Sequence, residues 1–339
     1  MAMNSEPPSP RVPNAAVSSP RRWRDLALLI GLFALVVIGL VGLALATGWE
    51  ETVEAITSLS FIEITILLVL SLVNYVFRGL RWHLFAIKLG LGTTLIQNMR
   101  HFLAGFAMSV TPGRVGELVR MRWIRRETGW SFERTAPLVL VDRAADLAAM
   151  AILLALAVAL SATGMKGGAP VAVLALVAAF IATRPQLLSA AAGIGHVITG
   201  KRFPRIFARV RRAALSLRAF TGPTTLIIAG FLGVLGWMAE GYAFYLLLDW
   251  LGADTTFWVA MGIFIFATLA GGLTGAPGGL GGAEAAMLAL LVLDGVPIAI
   301  AAPATLVIRV TTLWFAIGIG LLVFPAAERA SKKAQHVET

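Results

Sequence analysis

Thr274-Gly275-Ala276-Pro277-Gly278-Gly279-Leu280-Gly281-Gly282-Ala283-Glu284 lies between two apolar segments, Phe257–Leu273 and Ala285–Leu293. Five glycines, a proline and a carboxylate fall within eleven residues. Proline removes a backbone donor and glycine is a poor helix former, so a continuous helix is excluded here. At membrane depth such a break persists only inside protein or beside a water-filled cavity. A carboxylate next to it is a functional-site candidate. A shorter relative of this stretch occurs earlier, at Thr111-Pro112-Gly113-Arg114-Val115-Gly116-Glu117.

Composition gives the solvent. The 339 residues are 58% hydrophobic and 14% charged, with mean hydropathy +0.84. Soluble domains carry about 25% charged residues. The chain is therefore expected to be an all-α polytopic membrane protein with a single membrane domain over 26–325. The net charge of +10 sits in the loops between apolar runs and does not imply nucleic acid. With no cysteine, disulfides and thiolate metal sites are excluded. His83, His101, His196 and His336 are scattered without metal-ligand spacing and are expected in loops or at interfaces. No metal or cofactor is expected.

Working outward, the apolar runs predict six full spans and two re-entrant broken hairpins. Residues 1–25 are expected to be a disordered cytosolic tail, since 1–20 hold five prolines and four serines without apolar period. Spans follow at 26–46, 61–85, 136–160, 170–183, 226–248 and 298–324. The first is too long for the h-region of a signal peptide, about 7–15 residues. Residues 95–125 and 257–293 each hold one break and read as hairpins, the first entering from the cytosol and the second from outside. Thr111 is expected to cap the helix after the first break, with Pro112 at its first position.

Residues 184–222 read as a cytosolic loop. Within it Ile206, Val210, Ala213, Leu217 and Phe220 repeat at helical spacing among arginines. That pattern suits a basic amphipathic helix on anionic inner-leaflet phospholipid, or equally a helix capping the bundle. Residues 326–339 are expected to be a cytosolic tail. Of 28 Lys and Arg, the predicted outer loops hold only Lys166. This asymmetry places both termini in the cytosol, in a bacterial inner membrane.

The two breaks recur at nearly constant offset. Pro112 to Pro277 is 165 residues, Arg143 to Arg309 is 166, Asn74 to Glu240 is 166 and Glu117 to Glu284 is 167. Repetition in register argues for duplication, with halves at about 61–160 and 226–324. An odd number of crossings between them makes the repeat inverted. Paired Gly/Pro-interrupted segments in inverted halves point to a transporter's binding site.

The candidate substrate-binding residues are Arg114, Glu117, Arg143, Glu240, Pro277, Gly278, Gly279, Gly281, Glu284 and Arg309. Arg78, Pro112, Gly113, Gly116, Asp142 and Asp146 are secondary candidates. Arginines and helix N-termini suit a phosphate. Two plainer readings stand beside this one. Glu117–Arg143 and Glu284–Arg309 are also suited to be structural ion pairs, because buried charges are normally paired. Arg78, near the end of its span, is also placed to snorkel to the interface, and Arg81, His83 and Lys88 are expected at the cytosolic end of the same span.

Three groups of residues resemble the lysylphosphatidylglycerol synthase transmembrane (flippase-like) family of bacterial and archaeal membrane proteins. They are Pro112-Gly113-Arg114-Val115-Gly116-Glu117-Leu118-Val119-Arg120, Val141-Asp142-Arg143-Ala144-Ala145-Asp146-Leu147, and Pro277–Ala286 with Asp294-Gly295-Val296-Pro297 and Arg309. Where the family often has Glu before its arginine, this chain has Asp142. The resemblance covers about 26–325 and implies lipid translocation. No soluble synthase domain follows Phe324, so aminoacyl transfer is not expected. The expectation is a non-enzymatic flippase-like transporter of a phosphate-bearing lipid, either a phospholipid or a polyprenyl-linked glycan. The alternatives are a small-anion carrier or channel, or a non-transporting partner of a lipid- or glycan-modifying enzyme. A homo-oligomer is compatible with either.

Overall fold

The computed structural model describes residues 49–109, 115–161, 168–200 and 217–337, with isolated positions between 202 and 208. The expected tail and first span, the Thr111–Arg114 break and most of the basic loop helix lie outside the described residues. Among the described residues the secondary structure is helical, with no strand.

The helices are α1 (Trp49–Ser58), α2 (Phe61–Lys88), α3 (Leu95–Gly105), α4 (Val115–Thr128), α5 (Phe132–Leu160), α6 (Gly168–Thr183), α7 (Pro185–Ile198), α8 (Pro223–Trp250), α9 (Phe257–Leu273), α10 (Gly282–Leu293), α11 (Ile298–Arg309) and α12 (Phe315–Val337). Several starts are dictated locally. Ser60 and Glu63 form a reciprocal capping box on α2, and Thr94 and Gln97 form one on α3. Each satisfies two backbone donors that a helix start would otherwise leave unpaired. Ser131 caps α5 through the Arg134 amide.

Four helical stretches are long and apolar enough to cross a membrane: Phe61–Lys88, Phe132–Leu160, Pro223–Trp250 and Ile298–Gln335. A fifth candidate exists if α6 and α7 count as one span, but they are bent by 91°. The segment expected to begin a cytosolic loop at 184 is thus helical from Pro185, with proline in the first turn where its missing donor is harmless. The described end of the expected amphipathic helix is a 3₁₀ turn, Leu217–Phe220. Both apolar residues are buried there, and Phe220 packs edge-on against Phe85 at 5.5 Å. That end caps the bundle.

α2 and α8 form the central pair, packed along each other, with α5 beside both. Each is 28 residues, about 42 Å of helix. Their ends align at an offset of 162, from Phe61 to Pro223 and from Lys88 to Trp250. The Asn74–Glu240 match at 166 is therefore not carried by the helix ends. At 162, Glu240 falls opposite Arg78 in the paired numbering of the two helices.

α3 with α4, and α9 with α10, are short helices packed pairwise on either side of a break. At 17 and 12 residues, α9 and α10 are about 26 and 18 Å long, each short of the roughly 30 Å hydrocarbon core. Close approach requires small residues. A Cβ on Gly271 would lie 2.7 Å from that of Ala283, and one on Gly116 would lie 2.6 Å from the Gly105 carbonyl oxygen. Gly278 turns the chain at φ 61, a conformation other residues rarely adopt.

The last helix continues past Phe324 to Val337, and Glu328 on it ties α12 to α4. It accepts hydrogen bonds from Arg122, Arg126 and the Trp123 indole, at 2.8, 2.8 and 2.9 Å. Burial pushes this carboxyl up. The Trp123 donor and the two guanidiniums outweigh it and hold the group at about 2. His101, expected at an interface, is buried, stacked on Trp123 and 3.2 Å from Glu127.

Candidate functional site

A cavity of about 530 Å³ lies between the two broken pairs. Its walls include Phe106, Ser109, Gly116 and Glu117 from the first pair, and Thr268, Gly275, Gly278 and Ala283 from the second. Arg78, Arg120, Arg143 and Arg309 reach it, as do Trp237 and Glu240. Four guanidiniums and two carboxylates thus face one space. The flanking helices begin beside it, since Gly116 and Ala283 each fall in the first turn of α4 and α10.

On one wall, Arg309 donates to Glu284 through Nε at 2.6 Å and to the Gly278 carbonyl through Nη2 at 2.9 Å. This joins α11 to α10 and to the turn between α9 and α10. Arg309 is the last residue before a π-helical turn, Val310–Trp314. Such turns leave carbonyls poorly paired and are frequent at functional sites. The Tyr75 hydroxyl donates to the Thr312 carbonyl within it, so α2 supports the irregularity.

The opposite wall is a network. Arg143 lies 2.8 Å from Asp142, 3.4 Å from Asp146 and 3.5 Å from Glu117. Arg81 bridges Asp142 at 2.7 Å and Asp146 at 2.6 Å. Arg78 pairs with Asp146 at 2.8 Å and sits 4.8 Å over the Trp237 ring, whose Nε1 also donates to Asp146. Asp142 and Asp146 are four residues apart on α5, so both point at α2, where Arg78 and Arg81 are three residues apart and likewise share a face. Arg120 has no carboxylate within ion-pair distance among the described residues. It donates to the Phe102 carbonyl and lies over the Phe102 ring at 4.6 Å.

The structure brings together most of the residues singled out in the sequence. Glu117, Arg143, Glu240, Gly278, Gly279 and Arg309 line the cavity, with Arg78 and Gly116. Glu284, Asp142 and Asp146 stand behind it as partners of the arginines. Gly281 sits at the N-cap of α10 with φ 79 and does not line the cavity. Pro277 opens the 3₁₀ turn. Pro112, Gly113 and Arg114 lie outside the described residues.

Two readings are corrected. Arg78 does not snorkel, because it is buried against Asp146. Arg81, expected at the cytosolic end of its span, is fully buried at the centre of the network. Arg120 and Trp237 were not singled out as site residues. The available signal for Arg81 was its three-residue spacing from Arg78, matched by the four-residue spacing of Asp142 and Asp146.

Residues 26–320 match the family described as Lysylphosphatidylglycerol synthase TM region. The chain is also similar to a UPF0104 membrane protein of Methanothermobacter thermautotrophicus, at 28% identity over 322 residues, covering 86% of this chain and 94% of that one. A second match to a UPF0104 membrane protein of the same organism is 33% identical over 105 residues, 31% of each chain.

Proposed function

Because the chain belongs to the lysylphosphatidylglycerol synthase TM region family, we propose that this multi-pass membrane protein is a flippase-like transporter that carries a phosphate-bearing lipid across the bilayer. The observation that carries this reading is the cavity between the two breaks, faced by four arginines. A charged head group is expensive at membrane depth. Guanidiniums and two helix N-termini would offset that cost by binding the phosphate, while the acyl chains stay in lipid.

The breaks are read as re-entrant hairpins of an inverted repeat. In this reading each half supplies a long helix, a broken pair and a second long helix. The equal lengths of α2 and α8 support it, as does the recurrence of an arginine paired to a carboxylate after each break. The concentration of Lys and Arg on one side supports a bacterial inner-membrane location with both termini in the cytosol. Binding and release by arginines requires no bond-breaking step, and we read the protein as a transporter and not an enzyme.

The test is translocation of a fluorescent phospholipid in proteoliposomes. Arg309→Ala is expected to insert but not to translocate. Normal translocation by that variant would remove Arg309 from the site. Electrical conductance without lipid movement would point instead to a small-anion carrier or channel.

A further inference from the structure

Glu240 differs from every other carboxylate around the cavity. It is 5% exposed, lines the cavity wall, and makes no hydrogen bond or ion pair with any of the described residues. Glu117, Asp142, Asp146 and Glu284 each have an arginine within 3.5 Å. An unpaired carboxylate removed from water is costly in its charged form.

The surroundings of Glu240 on each packed helix are specific. From α2 it faces Tyr75 and Arg78, with Arg81 one turn further along. From α5 it faces Asp146, behind which lie Asp142 and Arg143. From α11 it faces Arg309, and α9 presents no ionisable residue. Arg78 and Arg309 are the cations that act on it, and each is already bonded to another carboxylate, Asp146 and Glu284. Glu240 therefore competes for charges that are in use.

The charge balance gives this arrangement a consequence. The described cavity and its immediate backing hold five arginines, 78, 81, 120, 143 and 309, and four paired carboxylates, 117, 142, 146 and 284. Glu240 decides the remainder. With its proton on, these described residues carry one net positive charge, which a phosphodiester monoanion neutralises. With its proton off, they are neutral before any anion enters, and a bound anion leaves one negative charge that none of them compensates.

We propose that Glu240 is a proton-binding site coupled to anion binding, so that the cavity takes up a proton from water together with a phosphodiester and releases both together. This rests on the transport reading above and adds to it a proton as co-ligand. Binding linkage is reciprocal: a proton that favours the anion must itself be favoured by the anion.

The test uses the purified full-length protein in detergent and short-chain phosphatidylglycerol as the probe, with affinity measured across the range from about pH 5 to about pH 9. Wild type is expected to lose affinity as pH rises, by up to about tenfold per pH unit, the limit for one linked proton. Glu240→Gln, neutral and of the same size, is expected to bind with little pH dependence, at the affinity wild type reaches in acid. Glu240→Asp is expected to restore the slope. A Glu240→Gln variant with the wild-type slope would overturn the proposal, as would a flat wild-type profile or absence of binding by both proteins. Translocation by the same wild-type preparation separates the two claims. A flat binding profile with Arg309-dependent translocation removes the proton site alone. A steep Glu240-dependent profile without translocation removes the transport reading alone.

Discussion

Arg143 and Arg309 both line the cavity and each meets a glutamate, Glu117 or Glu284, but their surroundings differ. Arg309 has one carboxylate partner, Glu284, and its side chain is 9% exposed. Arg143 is shared among Glu117, Asp142 and Asp146 and is 32% exposed. Arg309 therefore forms a self-contained pair that locks the glycine break to α11. Around Arg143 the load rests on Asp142 and Asp146, which also hold Arg81 and Arg78. The same kind of residue is a lock on one wall and an accessible member of a network on the other.

The largest effect should come from removing the centre of that network. Asp146→Ala leaves Arg78 and Arg81 each short of a buried partner, and breaking such a pair costs about 3–5 kcal/mol. Loss of folded, monodisperse protein or a large fall in thermal stability is expected. A loss below about 1 kcal/mol, as for an exposed pair, would mean that the network is hydrated.

Next comes the lock itself. Arg309→Met alone strands Glu284 and is expected to cost about 3 kcal/mol, whereas the double replacement with Glu284→Met should recover most of it, because a buried pair is often no more stabilising than apolar residues of similar volume. If the double variant is as unstable as the single, the Gly278 carbonyl contact, not the ion pair, holds the break. Arg143→Gln sharpens the contrast. With three carboxylates left and a third of the side chain in contact with solvent, its stability cost should be about 1 kcal/mol or less, while lipid translocation is lost.

Much of this was open to inspection in the sequence. The breaks, the two arginines and their carboxylates stand out because glycine, proline and charge are conspicuous within apolar runs. The capping boxes Ser60–Glu63 and Thr94–Gln97 are local and equally readable. Arg81 was not, since an arginine near the end of an apolar helix has the same pattern whether it meets water or a buried aspartate 61 positions on. The bend at Pro185 was missed for a similar reason, because an apolar helix after a proline looks like a loop when polar residues flank it. The ends of α2 and α8 differ by 162, four less than the Asn74–Glu240 match, because helix ends are set by caps and flanking turns that residue matches do not report.

The smallest effect concerns the far end of the last helix. Glu328→Gln weakens a partly exposed cluster and should cost about 1 kcal/mol or less near neutral pH. Its carboxyl is held below the ordinary value, so its stabilisation is present above pH 4.5 and is lost as pH falls towards about 2. The difference between wild type and Glu328→Gln in thermal melts should shrink over that window. A difference that persists at the acid end would assign the effect to packing.

The central claim is that the cavity between the breaks binds the phosphate of a lipid in transit. The most direct measurement is phospholipid translocation in proteoliposomes by the Arg309→Met/Glu284→Met double variant, with wild-type protein in parallel. The double variant is expected to fold and insert as wild type does and to translocate no lipid above protein-free vesicles. Translocation at the wild-type rate by the folded double variant would contradict the account.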